Sequence, residues 1–187
     1  MELNIQQLNS TKYNLHFEPK DELYHSCMWA TIILDHDSYT MYATTDCGNY
    51  THSWRPTPDT ESFLKLMCRI GKEYLLGKIS EQTVVNLDES KKKTLGNIKR
   101  FCRHSLTAKE LKDLCDEIND IDVYGEESFF LKANDIMEDY KLRDTFELID
   151  CVTEYPAGAR TFARIFCEVL QPQLRKQLAE KTTEKSA

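Results

Sequence analysis

The spacing of the hydrophobic residues changes near residue 55, and this change constrains the fold more than any other feature of the sequence. From Lys12 to Trp54 apolar and polar residues alternate close to every second position, which is typical of half-buried strands. Beyond Arg55 the apolar residues recur at the three- and four-residue spacing of amphipathic helices. A parallel sheet would need strands that alternate with helices. The order instead predicts an α+β fold, in which an N-terminal antiparallel sheet of about four strands packs against C-terminal helices.

Turn-forming residues divide the first part of the chain into four predicted strands. The connections between them are short, which makes consecutive strands antiparallel neighbours. The second strand is the most hydrophobic and has Trp29, Ile32 and Ile33 directed to both faces, so we place it centrally in the sheet. The predicted strands are Lys12–Phe17, Cys27–Leu34, Tyr39–Thr45 and Tyr50–Trp54.

The first helical pattern follows the strands directly. The apolar residues from Phe63 to Ile70 stand at i, i+3, i+4 and i+7, with Asp59 or Thr60 available as the cap and Gly71 as a stop. An apolar patch then extends over Lys72–Ile79, and another helix is predicted after Asp88. The apolar stripe of that helix consists of Leu95, Ile98 and Cys102.

The clearest local signal is the segment Thr107-Ala108-Lys109-Glu110. It has the pattern of a capping box, in which the Thr hydroxyl and the Glu carboxylate satisfy free backbone donors at a helix start. The helix that begins there is predicted to bury Leu111, Leu114, Cys115 and Ile118.

Two further helices complete the predicted chain. One covers about Ser128 to Tyr140, and the last opens at Pro156, where a missing N–H costs nothing. Pro172 is expected to kink or interrupt the last helix, and the tail from Thr182 is expected to fray. We therefore predict a single domain over residues 1–187, with the sheet in 1–55 and the helical part in 59–181. The region from about residue 107 is a candidate helical subdomain.

Composition and cysteine spacing exclude several classes of protein. No apolar run approaches the roughly 18 residues of a membrane span. The seven cysteines are scattered, and the N-terminus lacks the basic and apolar regions of a signal peptide, which predicts free thiols and a cytoplasmic location. No close pair of Cys or His has the spacing of a zinc site, so core filling explains the cysteines better and no metal or cofactor is predicted.

Acidic residues concentrate in the second half of the chain. The net charge is -7, and Lys109 to Asp150 contains 14 acidic residues against five basic ones. One interpretation is a solvated helical face. The other is an anionic surface that binds a positively charged protein, in the limit by imitating the phosphate spacing of DNA. The candidate partner-binding residues are Glu110, Asp113, Asp116, Glu117, Asp120, Asp122, Glu126 and Glu127.

A basic cluster precedes the acidic region and suggests an alternative. Six cations could follow a phosphate backbone, with Phe101 nearby for stacking, although a solvated helix face explains the same pattern. The whole chain is acidic and has no recognised nucleic-acid-binding motif, so direct binding of nucleic acid is not the first hypothesis. The candidate residues are Lys91, Lys92, Lys93, Lys99, Arg100 and Arg103.

No motif in the sequence indicates a catalytic site. The glycine-rich phosphate loops and the G-x-S-x-G elbow are absent, and Cys102 and His104 would point in different directions on one helix. We therefore predict that the protein is not an enzyme. The alternative is a metal-dependent enzyme with carboxylates from the turns around Asp35 and Asp46, completed by His36 or His52.

Three segments resemble a group of uncharacterised bacteriophage and prophage proteins. They are Thr44–Trp54, which includes Gly48-Asn49-Tyr50, then Phe63–Lys65, and Tyr74–Lys78. The resemblance covers about residues 28 to 110 and leaves the region beyond about Asp120 unmatched, where a target could be specified. It implies a host-takeover or anti-defence factor, of the anti-CRISPR or anti-restriction type, that binds a host protein stoichiometrically in the infected cell. It transfers no residue role.

Overall fold

The computed structural model describes residues 9–55 and 61–184. The chain divides into two compact units. Unit 1 comprises Met1–Glu81 and Tyr155–Ala187, and unit 2 comprises Gln82–Glu154. A four-stranded antiparallel sheet comes first and the helices follow, which confirms the predicted α+β class. The prediction of a single domain stays a prediction.

The sheet of unit 1 contains four strands in the order in which they occur along the chain. They are β1 (Ser10–His16), β2 (Trp29–Asp35), β3 (Thr40–Thr45) and β4 (Gly48–Ser53). Each strand pairs antiparallel with the next, so β2 lies inside the sheet as predicted. A positive φ of 142° at Gly48 allows the tight turn between β3 and β4, because only glycine adopts that conformation without strain.

Only one face of the sheet is buried, although β2 directs hydrophobic residues to both faces as predicted. Ala30, Ile32 and Leu34 are buried, whereas Thr31 and Ile33 between them are half-exposed. The reason is that the apolar residues of the helices in unit 1 pack with the buried set alone. The opposite face carries exposed side chains such as Tyr42.

Seven α-helices follow the sheet in the described residues, with a short second ribbon of two strands. The helices are α1 (Phe63–Arg69), α2 (Lys72–Ile79), α3 (Leu87–Phe101), α4 (Ala108–Asn119), α5 (Glu126–Asp139), α6 (Ala157–Arg164) and α7 (Gln171–Glu184). The ribbon strands are β5 (Val84–Val85) and β6 (Thr153–Glu154), and a 3₁₀ turn covers Thr145–Glu147. No helix of residues 9–55 and 61–184 is long and apolar enough to cross a membrane.

Helix α1 is capped by Ser62, whose hydroxyl accepts a hydrogen bond from the Lys65 amide. The predicted caps Asp59 and Thr60 lie outside the described residues. At the other end of α1, the buried side chain of Gln171 donates to the carbonyls of Met67 and Ile70 at 2.9 and 2.7 Å. These bonds satisfy carbonyls that a helix end leaves without partners.

The helix of the C-terminal segment is not interrupted at Pro172. A π-helical segment, Ile165–Leu170, joins α6 to α7, and Pro172 is the second residue of α7. The irregularity therefore lies just before the proline, whose missing N–H cannot donate to the preceding turn. Helix α7 continues to Glu184, and the rest of the tail that was expected to fray lies outside the described residues.

Helix α3 of unit 2 buries polar residues that its sequence pattern did not indicate. Ser90, Thr94 and Ile98 form the buried side, whereas Leu95 of the predicted stripe is only half-buried and Cys102 is buried at the helix end. The Ser90 hydroxyl accepts a hydrogen bond from the Val152 amide at 2.8 Å. Burial of these hydroxyls is compensated by bonds to the chain that returns beside α3.

Besides the bond to Ser90, three hydrogen bonds hold the returning chain to α3 and its N-cap, and this chain ends in the β5–β6 ribbon. The Asn86 amide donates to the Val152 carbonyl, and the Thr94 hydroxyl accepts from the Asp150 amide at 3.1 Å. The Asn97 side chain donates to the Leu148 carbonyl at 3.1 Å. The ribbon then pairs Val84, the third residue of unit 2, with Glu154, its last residue, so the two ends of unit 2 lie side by side.

The Thr107 capping box is present as predicted, with both reciprocal hydrogen bonds formed. The helix that it starts, α4, buries Leu114, Cys115 and Ile118. Helix α5 contributes Phe129, Ala133 and Met137 to the same core of unit 2. This core holds α4 and α5, which carry nine of the 14 acidic residues of Lys109–Asp150.

We predict that Gly158→Ala lowers the free energy of unfolding by about 1–3 kcal/mol. A Cβ at Gly158 would overlap the backbone carbonyl oxygen of Cys47, which cannot move aside as a flexible side chain could. Gly96→Ala is the matched control, because Gly96 is also helical but has nothing within 4 Å of the added carbon. The control is expected to stabilise by about 0.5–1 kcal/mol. Urea unfolding of both variants tests the pair, and equal effects would contradict the packing argument.

Candidate functional site

The acidic residues of α4 lie on the side of the helix that faces away from the core. Glu110, Asp113, Glu117 and Asp120 follow the spacing i, i+3, i+7 and i+10, and Asp116 lies beside them. The apolar stripe occupies the opposite side and fixes which side meets solvent. Helical periodicity therefore collects these carboxylates into one stripe. Lys109 and Lys112 are exposed on the same side.

Three further carboxylates follow α4 along the chain. Asp122 lies in the connection to α5, and Glu126 and Glu127 form the first turn of α5. Gly125, with a positive φ of 119°, starts this helix without a side-chain cap, so the two glutamates supply negative charge at its N-terminus. We call the eight residues together the acidic surface: Glu110, Asp113, Asp116, Glu117, Asp120, Asp122, Glu126 and Glu127.

All eight side chains of the acidic surface are exposed. None of them forms an ion pair with a lysine or arginine of the described chain. The structure thus places all eight predicted partner-binding residues at exposed positions of unit 2, on α4, at its end, in the following loop and in the first turn of α5. Whether they bind a partner is a separate question, because solvated helical faces have the same properties.

Two members of the acidic surface make hydrogen bonds within unit 2. The Thr107 hydroxyl and amide donate to Glu110 and lower the pKa of its carboxyl below the ordinary value of 4.5. Glu117 accepts a hydrogen bond from the Tyr140 hydroxyl at 2.6 Å, which raises the pKa of Tyr140 to about 12. Both bonds hold the position of a carboxylate on the exposed side of α4.

An exposed tyrosine, which no sequence pattern indicated, lies in the loop between members of the acidic surface. Tyr124 is 96% exposed and occupies the loop between Asp122 and Glu126. A loop aromatic has no periodicity from which exposure can be predicted. Tyrosine is among the residues that contribute most to protein interfaces, because it combines a large apolar ring with a polar tip.

A shallow hollow of about 550 Å³ adjoins the same part of unit 2. It is lined by Glu126, Glu127, Phe130, Leu131 and Cys151. Leu131 is 53% exposed, so apolar area is available beside two carboxylates. The combination offers a partner both charge and a place for an apolar side chain.

Three of the six residues of the basic cluster predicted as a nucleic-acid site make contacts within unit 2. Lys91 donates to the carbonyl of Asn119 at 2.6 Å, where it complements the negative end of α4. Lys92 pairs with Glu89 and Lys93 with Asp150, at 3.1 and 3.8 Å.

The remaining cations of this cluster lie at the C-terminal end of α3. Lys99, Arg100 and Arg103 are exposed. The Arg100 guanidinium lies 5.1 Å from the ring centre of Phe101, which is itself 58% exposed. Three of the six predicted residues are therefore available to an external anion, and the other three stabilise unit 2.

The carboxylates of the proposed alternative metal enzyme lie at opposite ends of the sheet. Asp46 accepts a hydrogen bond from Met28 at the start of β2, whereas Asp35 is the last residue of β2. A seven-residue strand spans about 20 Å. Asp35 instead binds the Asp37 amide and the Ser38 hydroxyl, which is ordinary turn chemistry. The structure thus does not assemble this cluster.

Comparison with known proteins identifies the origin of the chain. Residues 5–176 match the model of Phage_phiTE_072, described as a phage family. The chain belongs to this phage family. The match confirms the resemblance to phage proteins and extends it well beyond residues 28–110, so the statement that the region beyond Asp120 is unmatched is wrong. No curated protein and no solved structure matches the chain significantly.

We predict that Glu110→Gln changes the pH dependence of stability of this phage protein. Hydrogen bonds from Thr107 lower the pKa of Glu110 in the folded state, so its contribution is fully present above the ordinary, unfolded pKa of 4.5. It is lost as pH falls through the lower folded pKa. Unfolding free energies of both proteins, measured between about pH 3 and pH 7, should therefore converge at the acid end.

The background Thr107→Ala provides the control for this measurement. It removes the hydroxyl, which is the largest cause of the lowered pKa of Glu110. In this background, the pH-dependent difference in unfolding free energy between the protein with Glu110 and the protein with Gln at this position should be smaller. A difference of the same size with and without the hydroxyl would contradict the assignment.

Proposed function

We propose that this phage protein is a non-enzymatic binding protein that inhibits a host defence or nucleic-acid-processing protein through the acidic surface. The observation that carries the proposal is the exposure of all eight carboxylates without an ion pair in the described residues. An anionic surface of this kind complements a basic cleft that binds DNA or RNA, and it accelerates encounter with such a cleft. Membership of a phage family supports a target in the bacterial host.

A basic partner would relieve a weak repulsion between neighbouring carboxylates of α4. Like charges at helical spacing repel by a few tenths of a kcal/mol per pair, and Lys109 and Lys112 do not pair with them in the described structure. A basic partner would remove this repulsion on binding. The gain would fall as salt screens the charges.

Tyr124 and the hollow lined by Glu126, Glu127 and Leu131 offer the aromatic and apolar contacts that exposed charges do not provide. Buried aromatic side chains and apolar pockets contribute most of the affinity of protein interfaces, whereas exposed charges contribute mainly to encounter rate. A partner segment with cationic residues around an apolar side chain would contact the carboxylates, Tyr124 and the area around Leu131 together.

The test of the acidic surface uses two variants that each remove three negative charges. Asp113→Asn/Asp116→Asn/Asp120→Asn alters the acidic surface, and Glu73→Gln/Glu81→Gln/Glu180→Gln alters unit 1. All six side chains are exposed, and none has a side-chain hydrogen bond or ion pair within the described residues. We predict that the first variant captures its partner from bacterial lysate about tenfold less well at low salt, which corresponds to about 1.4 kcal/mol.

The matched variant should capture the partner as the wild type does. Equal capture by all three proteins would contradict a role for the acidic surface. Loss of capture after nuclease treatment would favour the second candidate function, a nucleic-acid-binding accessory factor. That function is favoured by one observation, the exposed Phe101 beside Arg100 and Arg103.

We predict that Tyr124→Ala weakens the same capture by about tenfold or more, with a change in unfolding free energy within about 0.5 kcal/mol. The reason is that a side chain 96% exposed in the free protein contributes little to folding and becomes available to an interface. Tyr42→Ala removes an exposed tyrosine from the sheet of unit 1 and serves as the control. Identical capture by the two variants would remove Tyr124 from the interface.

A further inference from the structure

A cluster of two thiols and one carboxylate lies at one end of the sheet, separate from the acidic surface. The ligand atoms of Cys27, Asp46 and Cys47 all lie within 4.8 Å of one another. Cys27 precedes β2, and Asp46-Cys47 form the turn between β3 and β4. Because β2 and β3 are antiparallel with Ala30 opposite Thr45, the residues before β2 and after β3 lie at the same end of the sheet.

The cluster has a graded exposure that suits an ion entering from solvent. Cys27 is buried, Cys47 is half-buried and Asp46 is exposed. The Asp46 carboxylate accepts a hydrogen bond from the Met28 amide at 2.8 Å and has no ion pair among the described residues. One carboxylate oxygen is thus fixed by the backbone while the charge of the group has no cationic partner.

We propose that Cys27, Asp46 and Cys47 form a three-ligand site for a zinc-type divalent cation, with the fourth position open to water. Two sulfurs favour zinc over magnesium or calcium, which prefer oxygen. In tetrahedral coordination with Zn–S bonds of about 2.3 Å, the two sulfurs lie about 3.8 Å apart. Contraction from at most 4.8 Å to that separation needs about an ångström in total.

Binding exchanges protons for the metal in a balanced step. Two thiols and one ionised carboxylate become two thiolates and one carboxylate on Zn²⁺, and two protons leave to solvent. Thr45 lies behind Cys47, with its hydroxyl 3.2 Å from the sulfur and 3.1 Å from the Cys47 amide. Thr45 would therefore orient the Cys47 ligand through a hydrogen bond without binding the metal itself.

The test uses the full chain, reduced and stripped of metal, and Co²⁺ followed by Zn²⁺ as probes. We expect one Co²⁺ per chain with a thiolate-to-cobalt absorption band, loss of that band on adding Zn²⁺, and release of two protons per zinc. Cys27→Ser, Cys47→Ser and Asp46→Asn should each weaken binding by about 100-fold or more. Cys167→Ser removes a half-buried thiol of the same unit outside the cluster and should bind normally.

Three results would overturn the proposal. They are absence of the band in the wild type, retention of the band in both serine variants of the cluster, and a Cys27–Cys47 disulfide that persists under reducing conditions. Thermal unfolding of the wild type with and without Zn²⁺ gives a second readout that does not depend on the variants folding. A bound ion should raise the midpoint, and an unchanged midpoint at saturating zinc would also overturn the site.

Discussion

The hydrogen bonds between α3 and the chain that returns beside it determine the geometry of unit 2. Ser90, Thr94 and Asn97 bind backbone groups of residues 148–152, where an apolar residue would leave those groups unpaired. A satisfied hydrogen bond contributes only about 1 kcal/mol, but a buried group left without its partner costs about 1–3 kcal/mol. These contacts therefore specify the path of the chain. The helices that carry the acidic surface are built on that path.

Packing of α4 and hydrogen bonding of its carboxylates together explain only part of the acidic surface. The apolar stripe of α4 decides which side of the helix meets solvent, and only Glu110 and Glu117 make a side-chain hydrogen bond in the described structure. Of the others, Glu126 and Glu127 supply negative charge at the N-terminus of α5, and the rest make no side-chain hydrogen bond or ion pair in the described residues. A folded domain tolerates this because repulsion between exposed charges is weak compared with burial of residues such as Leu114 and Ile118.

Local patterns in the sequence predicted the secondary structure and fold class well. Contacts between residues far apart in the sequence could not be predicted from it. Alternation from Lys12 to Trp54 indicated the strands, and the Thr107–Glu110 pattern located a helix start correctly. The buried side of α3 was missed because Ser90 and Thr94 are polar, and only the returning backbone explains their burial. The thiols of Cys27 and Cys47 are far apart in sequence, and the register of β2 and β3 brings them together.

The pairing of Val84 with Glu154 has a consequence for how such a chain can change over time. A segment that enters and leaves through adjacent backbone positions can be lengthened, shortened or replaced without altering the path of the flanking polypeptide. The sheet and its helices could therefore stay constant in related phage proteins while the inserted part is exchanged.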